Sequence, residues 1–259
     1  MAEKFKEQAV VLSQEQIAGQ IFSMWLQTEQ VAAHAVPGQF ISVYSNDSGR
    51  MLPRPISICE TDREKNAVRI VYRIAGKGTE EFSRCKEGDR LDILGPLGNG
   101  FPVERCREGQ KAFLIGGGIG IPPMVQLAKE LEGEAQVIAG YRDELFLTEE
   151  LEKYGKLYVA TEDGSTGTKG NVLDCIREHA LTADVIFACG PAPMLRAIKA
   201  YAGENGIECW VSMEEKMACG IGACLACVCG SKEVDGHSKV HNKRICKEGP
   251  VFLADEIEL

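Results

Sequence analysis

Nowhere in its 259 residues does the chain carry a run of five to eight lysines and arginines, and Asp plus Glu outnumber Lys plus Arg by 38 to 29. The net charge of −9 offers phosphate backbones no long-range attraction, so nucleic acid is excluded as an expected partner. Long apolar runs are missing as well. The most apolar window, AFLIGGGIGIPPMV at 112–125, falls short of the roughly 20 residues a membrane span needs, and it holds four glycines and two prolines. The opening MAEKFKEQAVVLSQEQ has acidic residues where an export signal would have a basic region and then an apolar one, so a cytoplasmic location is expected. Internal repeats, low-complexity tracts and long linkers are also lacking. With 44% apolar and 26% charged residues, the composition is that of a globular chain long enough for two domains and a small appendage.

Cysteine, by contrast, is abundant. Eleven is an odd count, and in a reducing compartment it argues against a disulfide framework and for metal or redox chemistry. Cys59, Cys85, Cys106, Cys175, Cys189 and Cys209 stand singly and read mostly as small apolar core residues. Cys219, Cys224, Cys227 and Cys229 crowd into MACGIGACLACVC at 217–229, and Cys246 follows.

Up to about Phe101, short segments such as IFSMWLQ, QFISVYS, RPISICE, AVRIVYRI and DRLDILG are rich in β-branched and aromatic residues and are separated by turn formers. That rhythm predicts a small antiparallel barrel. From about Gly109, apolar strands alternate with helical stretches, the βαβ signature of a parallel sheet. The cysteine cluster, a charged stretch at 231–244 and a short tail come last.

Four sets of residues carry candidate chemistry. In LIGGGIGIPPM, 114–124, an apolar strand runs into Gly116, Gly117, Gly118 and Gly120 and then two prolines suited to start a helix, so a pyrophosphate can approach the backbone. A structural tight turn is the plainer reading of the same residues. The turn ACGPAPM, 188–194, repeats the strand–turn–helix context, and it makes Cys189, with Gly190 and Pro191, a candidate to face a nicotinamide ring. RPISI, beginning at Arg54, and RIAGKGTEEFS, beginning at Arg73, suggest a strand and a loop opening a helix, where Gly78 and Thr79 offer N–H groups to a diphosphate. A surface ion pair for Arg54 and a simple N-cap for Thr79 are the plainer alternatives. Finally, Cys219, Cys224 and Cys227 have the C-x4-C-x2-C spacing of plant-type ferredoxins, which hold a 2Fe-2S cluster with a fourth, remote cysteine. Cys229 and Cys246 both qualify for that place; Cys246 is preferred because a remote ligand closes the open side, whereas Cys229 crowds its neighbour. Structural zinc, using the H-x3-H pair His237 and His241, is the competing metal.

Taken together, RPIS, GKGT, GPLGNGF, IGGGIGIPPM, CGPAPM, MEEKMACGIGAC and CKEGPVF resemble the ferredoxin reductase-like flavoproteins, and most closely the electron-transfer subunits of class B dihydroorotate dehydrogenases, over essentially the whole chain. The resemblance implies an FAD-binding β-barrel at 1–103, a Rossmann-like NAD-binding α/β domain at 104–210 and a small 2Fe-2S domain at 211–259. It implies that FAD lies along Arg54, Pro55, Ile56 and Ser57, along Val71, Tyr72 and Arg73, and at Gly78 and Thr79. NAD would use Gly116 to Gly120 and Cys189 to Pro191; the cluster ligands would be Cys219, Cys224, Cys227 and Cys246. The eighteen residues between Cys227 and Cys246 are a few more than the family usually has, and Cys229 is an extra thiol.

The implied activity is electron transfer between NAD and an FMN-bearing catalytic subunit that oxidises dihydroorotate in pyrimidine synthesis, in a heterotetramer of two copies of each subunit. A related reductase subunit serving a ferredoxin, sulfide or hydrogenase system would share the flavin and dinucleotide turns, while the cluster loop favours the pyrimidine enzyme. Arg142 and Asp143, at the end of AQVIAGY, point opposite ways on cofactor choice: an arginine suits a 2′-phosphate, an aspartate the ribose hydroxyls.

Overall fold

A computed structural model describes residues 3–234 and 239–259. Strands β1 (Phe5–Ala18), β2 (Ile21–Gln27), β3 (Phe40–Val43), β4 (Arg54–Asp62), β5 (Ala67–Arg73) and β6 (Arg90–Leu97) close an antiparallel barrel in the order β1-β2-β5-β4-β3-β6. Side chains alternate across each strand. Ile41, Val43, Ile56, Ile58, Ile70, Leu91 and Ile93 fill the inside, whereas Pro55 and Ser57 are only partly buried. Helix α1 (Glu29–His34) is capped from across the barrel: the Glu7 carboxylate accepts the N–H groups of Glu29, Gln30 and Val31 and the Thr28 hydroxyl. Helix α2 (Lys77–Phe82) follows the β5 exit.

Strand β1 is absent from the sequence reading, and the reason is physical. Of FKEQAVVLSQEQIA only Ala9 and Val11 are fully buried, so its apolar pattern is faint. It is a strand because both of its edges are paired, one with β2 and one with β6.

The second layer is a parallel sheet of β7 (Lys111–Gly117), β8 (Glu134–Tyr141), β9 (Lys156–Thr161), β10 (Thr168–Lys169), β11 (Val185–Cys189) and β12 (Glu208–Ser212), ordered β10-β9-β8-β7-β11-β12. Helices α3 (Pro123–Glu130), α4 (Thr148–Tyr154), α5 (Val172–Glu178) and α6 (Ala192–Asn205) cover it. Being covered on both faces, β7 reads as a continuous apolar run. Phe113 and Ile115 pack on one side with Ile176 and Ile198, and Ala112 and Leu114 on the other with Val125 and Leu151.

The tail does more than the sequence suggested. After the short hairpin β13 (Val228–Gly230) and β14 (Asn242–Arg244), β15 (Val251–Leu253) joins the sheet antiparallel to β12. Cys227, Ile245, Cys246, Phe252 and Ile257 therefore share one core with Phe113, Ile186 and Val211, and the cysteine-rich segment is not a detached bead. The barrel is tied to it as well: Asn99 donates its backbone N–H to the Gly249 carbonyl at 2.6 Å and its side-chain amide to the Glu248 carbonyl at 2.8 Å. No helix among the described residues is long and apolar enough to cross a membrane.

Candidate functional site

The two glycine turns, seventy residues apart in sequence, touch. A Cβ on Gly120 would lie 2.3 Å from the Cys189 carbonyl oxygen, and Cβ atoms on Gly117 and Gly190 would both strike the Met194 side chain, at 2.5 and 2.3 Å. Pairing of β7 with β11 brings them together, setting Gly116 opposite Cys189 at the carboxyl edge. Gly118 turns through a positive φ of 54°, and a Cβ there would sit 3.7 Å from Arg73 on the barrel. These glycines leave a groove that side chains would fill, at the edge where α/β sheets bind ligands. A 390 Å³ cleft continues from Gly118 past Arg73 and Gln20 to Tyr141, Arg142, Asp143 and Glu144. Arg142 and Asp143 both border this cleft, and Glu144 accepts the Gly19 N–H at 2.6 Å from the barrel side.

Cys189 ends β11 and is paired across the sheet with Ser212. Burial pushes its thiol up to about 12, against a hydrogen bond with Ser212 that lowers it. The thiol therefore stays protonated at neutral pH. Ser212 escaped the sequence reading, although its place at the carboxyl end of a strand is the signal that marked Cys189.

On the barrel, Arg54 opens β4 and reaches α2: a Cβ on Gly78 would lie 2.6 Å from Arg54 Nε. The guanidinium also donates to the Leu52 carbonyl at 2.5 Å. Arg54 and Gly78 are thus neighbours, though the rest of β4 and all of β5 lie between them in sequence. Thr79 caps its own turn, accepting the Ala75 N–H at 2.9 Å and donating to the Gly76 carbonyl at 3.0 Å. Pro55 and Ser57 lie on the outer face of the wall. Ile56 and Tyr72 turn inward, and the Tyr72 hydroxyl donates to Gln14 at 2.8 Å. What Ile56 and Tyr72 can offer a flavin is backbone. Val71 packs toward the nucleotide-binding layer, and Arg73 is exposed at the end of β5 beside Gly118.

The cysteines fall into connected pairs. Cys219 Sγ accepts N–H groups from Ile221 at 3.5 Å and Ala223 at 3.3 Å. Burial raises its pKa, but these amides, the Cys224 amide and the Cys224 thiol outweigh it and bring the group down to about 6. Cys227 Sγ accepts the Cys246 N–H at 3.4 Å. Cys246 is pushed up to about 12 by burial and by the neighbouring sulfurs of Cys227 and Cys219. Cys219 is thus linked to Cys224, and Cys227 to Cys246, as two pairs. The Cys229 thiol donates to the Lys243 carbonyl at 3.6 Å within the β13–β14 hairpin. Among the described residues no group of three or more His, Cys, Asp or Glu is arranged to hold a single metal ion. Two pairs of thiols, with backbone amides aimed at Cys219 and Cys227, have the donor chemistry of an iron–sulfur cluster, whose potential such amides tune. His241 Nδ1 lies 3.1 Å from the Lys232 carbonyl, and His237 lies outside the described residues.

The cysteine loop docks on the barrel wall. A Cβ on Gly220, whose φ is 69°, would come within 2.9 Å of Ser42 Oγ and 3.2 Å of Leu97 Cδ1. Ser42 pairs directly with Pro55. The sequence carries no sign of Ser42's place at this junction.

Known proteins share this arrangement. Residues 214–258 match the iron–sulfur cluster binding domain of dihydroorotate dehydrogenase B, and residues 8–101 match the oxidoreductase FAD-binding domain. Among solved structures, a chain of an NADH-dependent reduced ferredoxin–NADP oxidoreductase superposes with a TM-score of 0.85 at 29% identity, covering 96% of this chain and 89% of that one. The ferredoxin reductase of carbazole 1,9a-dioxygenase shares the fold at a TM-score of 0.65 and 22% identity, covering 79% of this chain and 67% of that one. The dihydroorotate dehydrogenase B (NAD(+)) electron transfer subunit of Bacillus velezensis is 44% identical, over 98% of this chain and 99% of its own length. That of Fusobacterium nucleatum subsp. nucleatum is 42% identical over 98% of both. Identity of this order along the full length, with both domain types in place, means that the chain belongs to the family of dihydroorotate dehydrogenase B electron transfer subunits.

Proposed function

We propose that this chain passes electrons between NAD and the FMN of a dihydroorotate-oxidising catalytic subunit, in the cytoplasm, as part of pyrimidine synthesis. Bound FAD and a 2Fe-2S cluster supply the chemistry, joining two-electron hydride transfer to one-electron steps. The observation that carries the reading is the order of the barrel wall. Gly118 meets β5 at Arg73, Gly220 meets β3 at Ser42, and β4, with Pro55 and Ser57, lies between them. The candidate flavin strand is thus flanked on one side by the dinucleotide turn and on the other by the cysteine loop.

In this reading Arg54, with the N–H groups at Gly78 and Thr79, holds the flavin diphosphate. The outer face of Pro55 and Ser57 seats the ring. The grooves at Gly116 to Gly120 and at Cys189 to Pro191 hold the dinucleotide, with Cys189 as a neutral contact at the nicotinamide. Cys219, Cys224, Cys227 and Cys246 hold the cluster. Cys224 is exposed, and Ile221, Leu225 and Val228 around it are exposed apolar residues, at 44%, 53% and 37%. An apolar rim around an exposed ligand is what a docking face for the catalytic subunit requires, in an assembly of two copies of each chain.

Anaerobic mixing of the FAD- and cluster-loaded chain with NADH tests the reading: flavin and cluster absorbance should bleach, with no turnover of dihydroorotate until the FMN subunit is added. Conversion of dihydroorotate to orotate by this chain alone would overturn the division of labour. The likeness to the ferredoxin–NADP oxidoreductase chain supports a second reading, a subunit serving ferredoxin. It requires rapid reduction of ferredoxin and no effect of the FMN subunit.

A further inference from the structure

The barrel and the nucleotide-binding layer are joined by a charge network, centred on the buried Arg69, that none of the cofactor motifs includes. Arg69, on β5 two residues before Val71 and four before Arg73, has a side chain only 8% exposed. It donates to Ser23 Oγ at 2.9 Å and lies within 4.0 Å of Glu60 and 3.9 Å of Glu15, all on the barrel. The same Nη1 that faces Glu60 reaches across the seam to Glu150 on α4 at 2.8 Å. Glu60, 15% exposed, reaches across in turn to Lys129 on α3 at 3.0 Å. Beside it the buried Gln126 of α3 accepts the Thr61 N–H at 2.8 Å, and Lys129 donates to the Thr61 carbonyl at 3.2 Å.

Such pairs are a poor source of stability, since desolvation of the buried partner offsets most of the attraction, but they hold geometry because misalignment leaves Glu60 or the buried Arg69 without its partner. Both helices the network grips matter for the dinucleotide. Helix α3 starts three residues after Gly120, and α4 follows the Tyr141 to Phe146 border of the cleft. The strand it grips, β5, carries Arg73 against Gly118.

We infer that Arg69 is a positioning residue for hydride transfer: through Glu150 and through Glu60 with Lys129, it fixes the height of the glycine turn over the flavin wall. This rests on the functional reading above. In the step concerned, a C–H bond of the reduced nicotinamide breaks, its proton and electron pair pass to the flavin, a second proton comes from water, and oxidised NAD leaves.

The test uses the full FAD-loaded chain and its Glu150→Gln and Lys129→Met variants, singly and together. Glu150→Gln cuts the cross-seam ion pair while leaving Arg69 its partners on the barrel, so it carries the test even where Arg69→Met fails to fold. Three readouts are needed: flavin reduction at saturating NADH with its deuterium isotope effect, the Kd for NAD, and hydrogen exchange of the α4 amides. A misplacement of about 1 Å can cost on the order of 100-fold in rate, so partial loosening in the double variant should slow flavin reduction about tenfold. Flavin content should be unchanged and the Kd within about twofold of the parent, because the groove itself is untouched. Amides of α4 should exchange faster. Unslowed flavin reduction in the double variant overturns the inference, whether or not α4 exchange has risen. A Kd raised well beyond about twofold also overturns it, since the network would then shape the groove and not only its alignment. If NADH fails to reduce the flavin of the parent chain, the functional reading falls and this inference with it; an active parent with unslowed variants sinks this inference alone.

Discussion

Gly120→Ala is the sharpest probe of the dinucleotide groove. The added Cβ would sit 2.3 Å from the Cys189 carbonyl oxygen, 2.5 Å from its carbon and 2.7 Å from the Gly190 nitrogen. All three are backbone atoms, so no side chain can swing away, and the two turns must part by about 1 Å to restore ordinary carbon–oxygen contact at about 3.4 Å. Overpacking of this kind costs about 1–3 kcal/mol. The same displacement spoils the groove, so the Kd for NAD should rise by about 10- to 100-fold, at about 1.4 kcal/mol per tenfold. Gly203→Ala is the matched control: it lies in α6, and its Cβ would meet nothing within 4 Å. There the helix propensity of alanine should stabilise by about 0.5–1 kcal/mol. Calorimetric titration with NAD and thermal unfolding of both variants, with flavin content as a check on the barrel, measure these effects. Wild-type NAD affinity and stability in Gly120→Ala would refute the reasoning, because the steric overlap would then have no consequence.

Three further outcomes are expected. Cys246→Ser should lose the visible absorbance and paramagnetic signal of the cluster while keeping the flavin, and Cys229→Ser should keep both; the reverse pattern would make Cys229 the fourth ligand. On the proposed reading Arg54 holds the flavin diphosphate, so Arg54→Met should weaken FAD retention about tenfold or more by fluorescence titration, at little cost in stability. Glu7 is opposed by burial, yet its hydrogen bonds to Thr28, Val31, Gln30 and Glu29 hold it below the ordinary carboxylate value. A depressed folded pKa contributes stability above the unfolded value of 4.5 that is lost as pH falls through the folded one. Acid unfolding of Glu7→Gln should therefore lose less stability below about pH 4.5 than the parent does, and at pH 7 the variant should be about 1 kcal/mol less stable, the typical worth of an N-cap.

The site was legible where the chemistry is local. Three cysteines in C-x4-C-x2-C, four glycines between a strand and two prolines, and a second glycine turn after a strand are dense signals within a dozen residues, because a turn around phosphate or sulfur is built from consecutive backbone amides. Five of the six barrel strands were legible for the same reason, each having its own run of β-branched or aromatic residues. Strand β1 and helix α4 were not: β1 buries little along its length, and α4, TEELEKY, buries only Leu151, so neither prints a strong period.

The sequence by itself determined the inventory: an antiparallel barrel, a parallel sheet, two glycine turns and a late cysteine loop, all specified by side-chain type at short range. Tertiary structure alone decided how the pieces meet. Barrel closure placed β4 between β5 and β3, and so the candidate flavin strand between Gly118 and Gly220. Addition of β15 to β12 buried Cys227 and Cys246 in a shared core and left Cys229 bonded to a hairpin carbonyl. The Arg69 network joins residues more than eighty positions apart. Such contacts depend on strand order and domain packing, which no window of sequence encodes, because the energy that selects them comes from surfaces meeting across the fold.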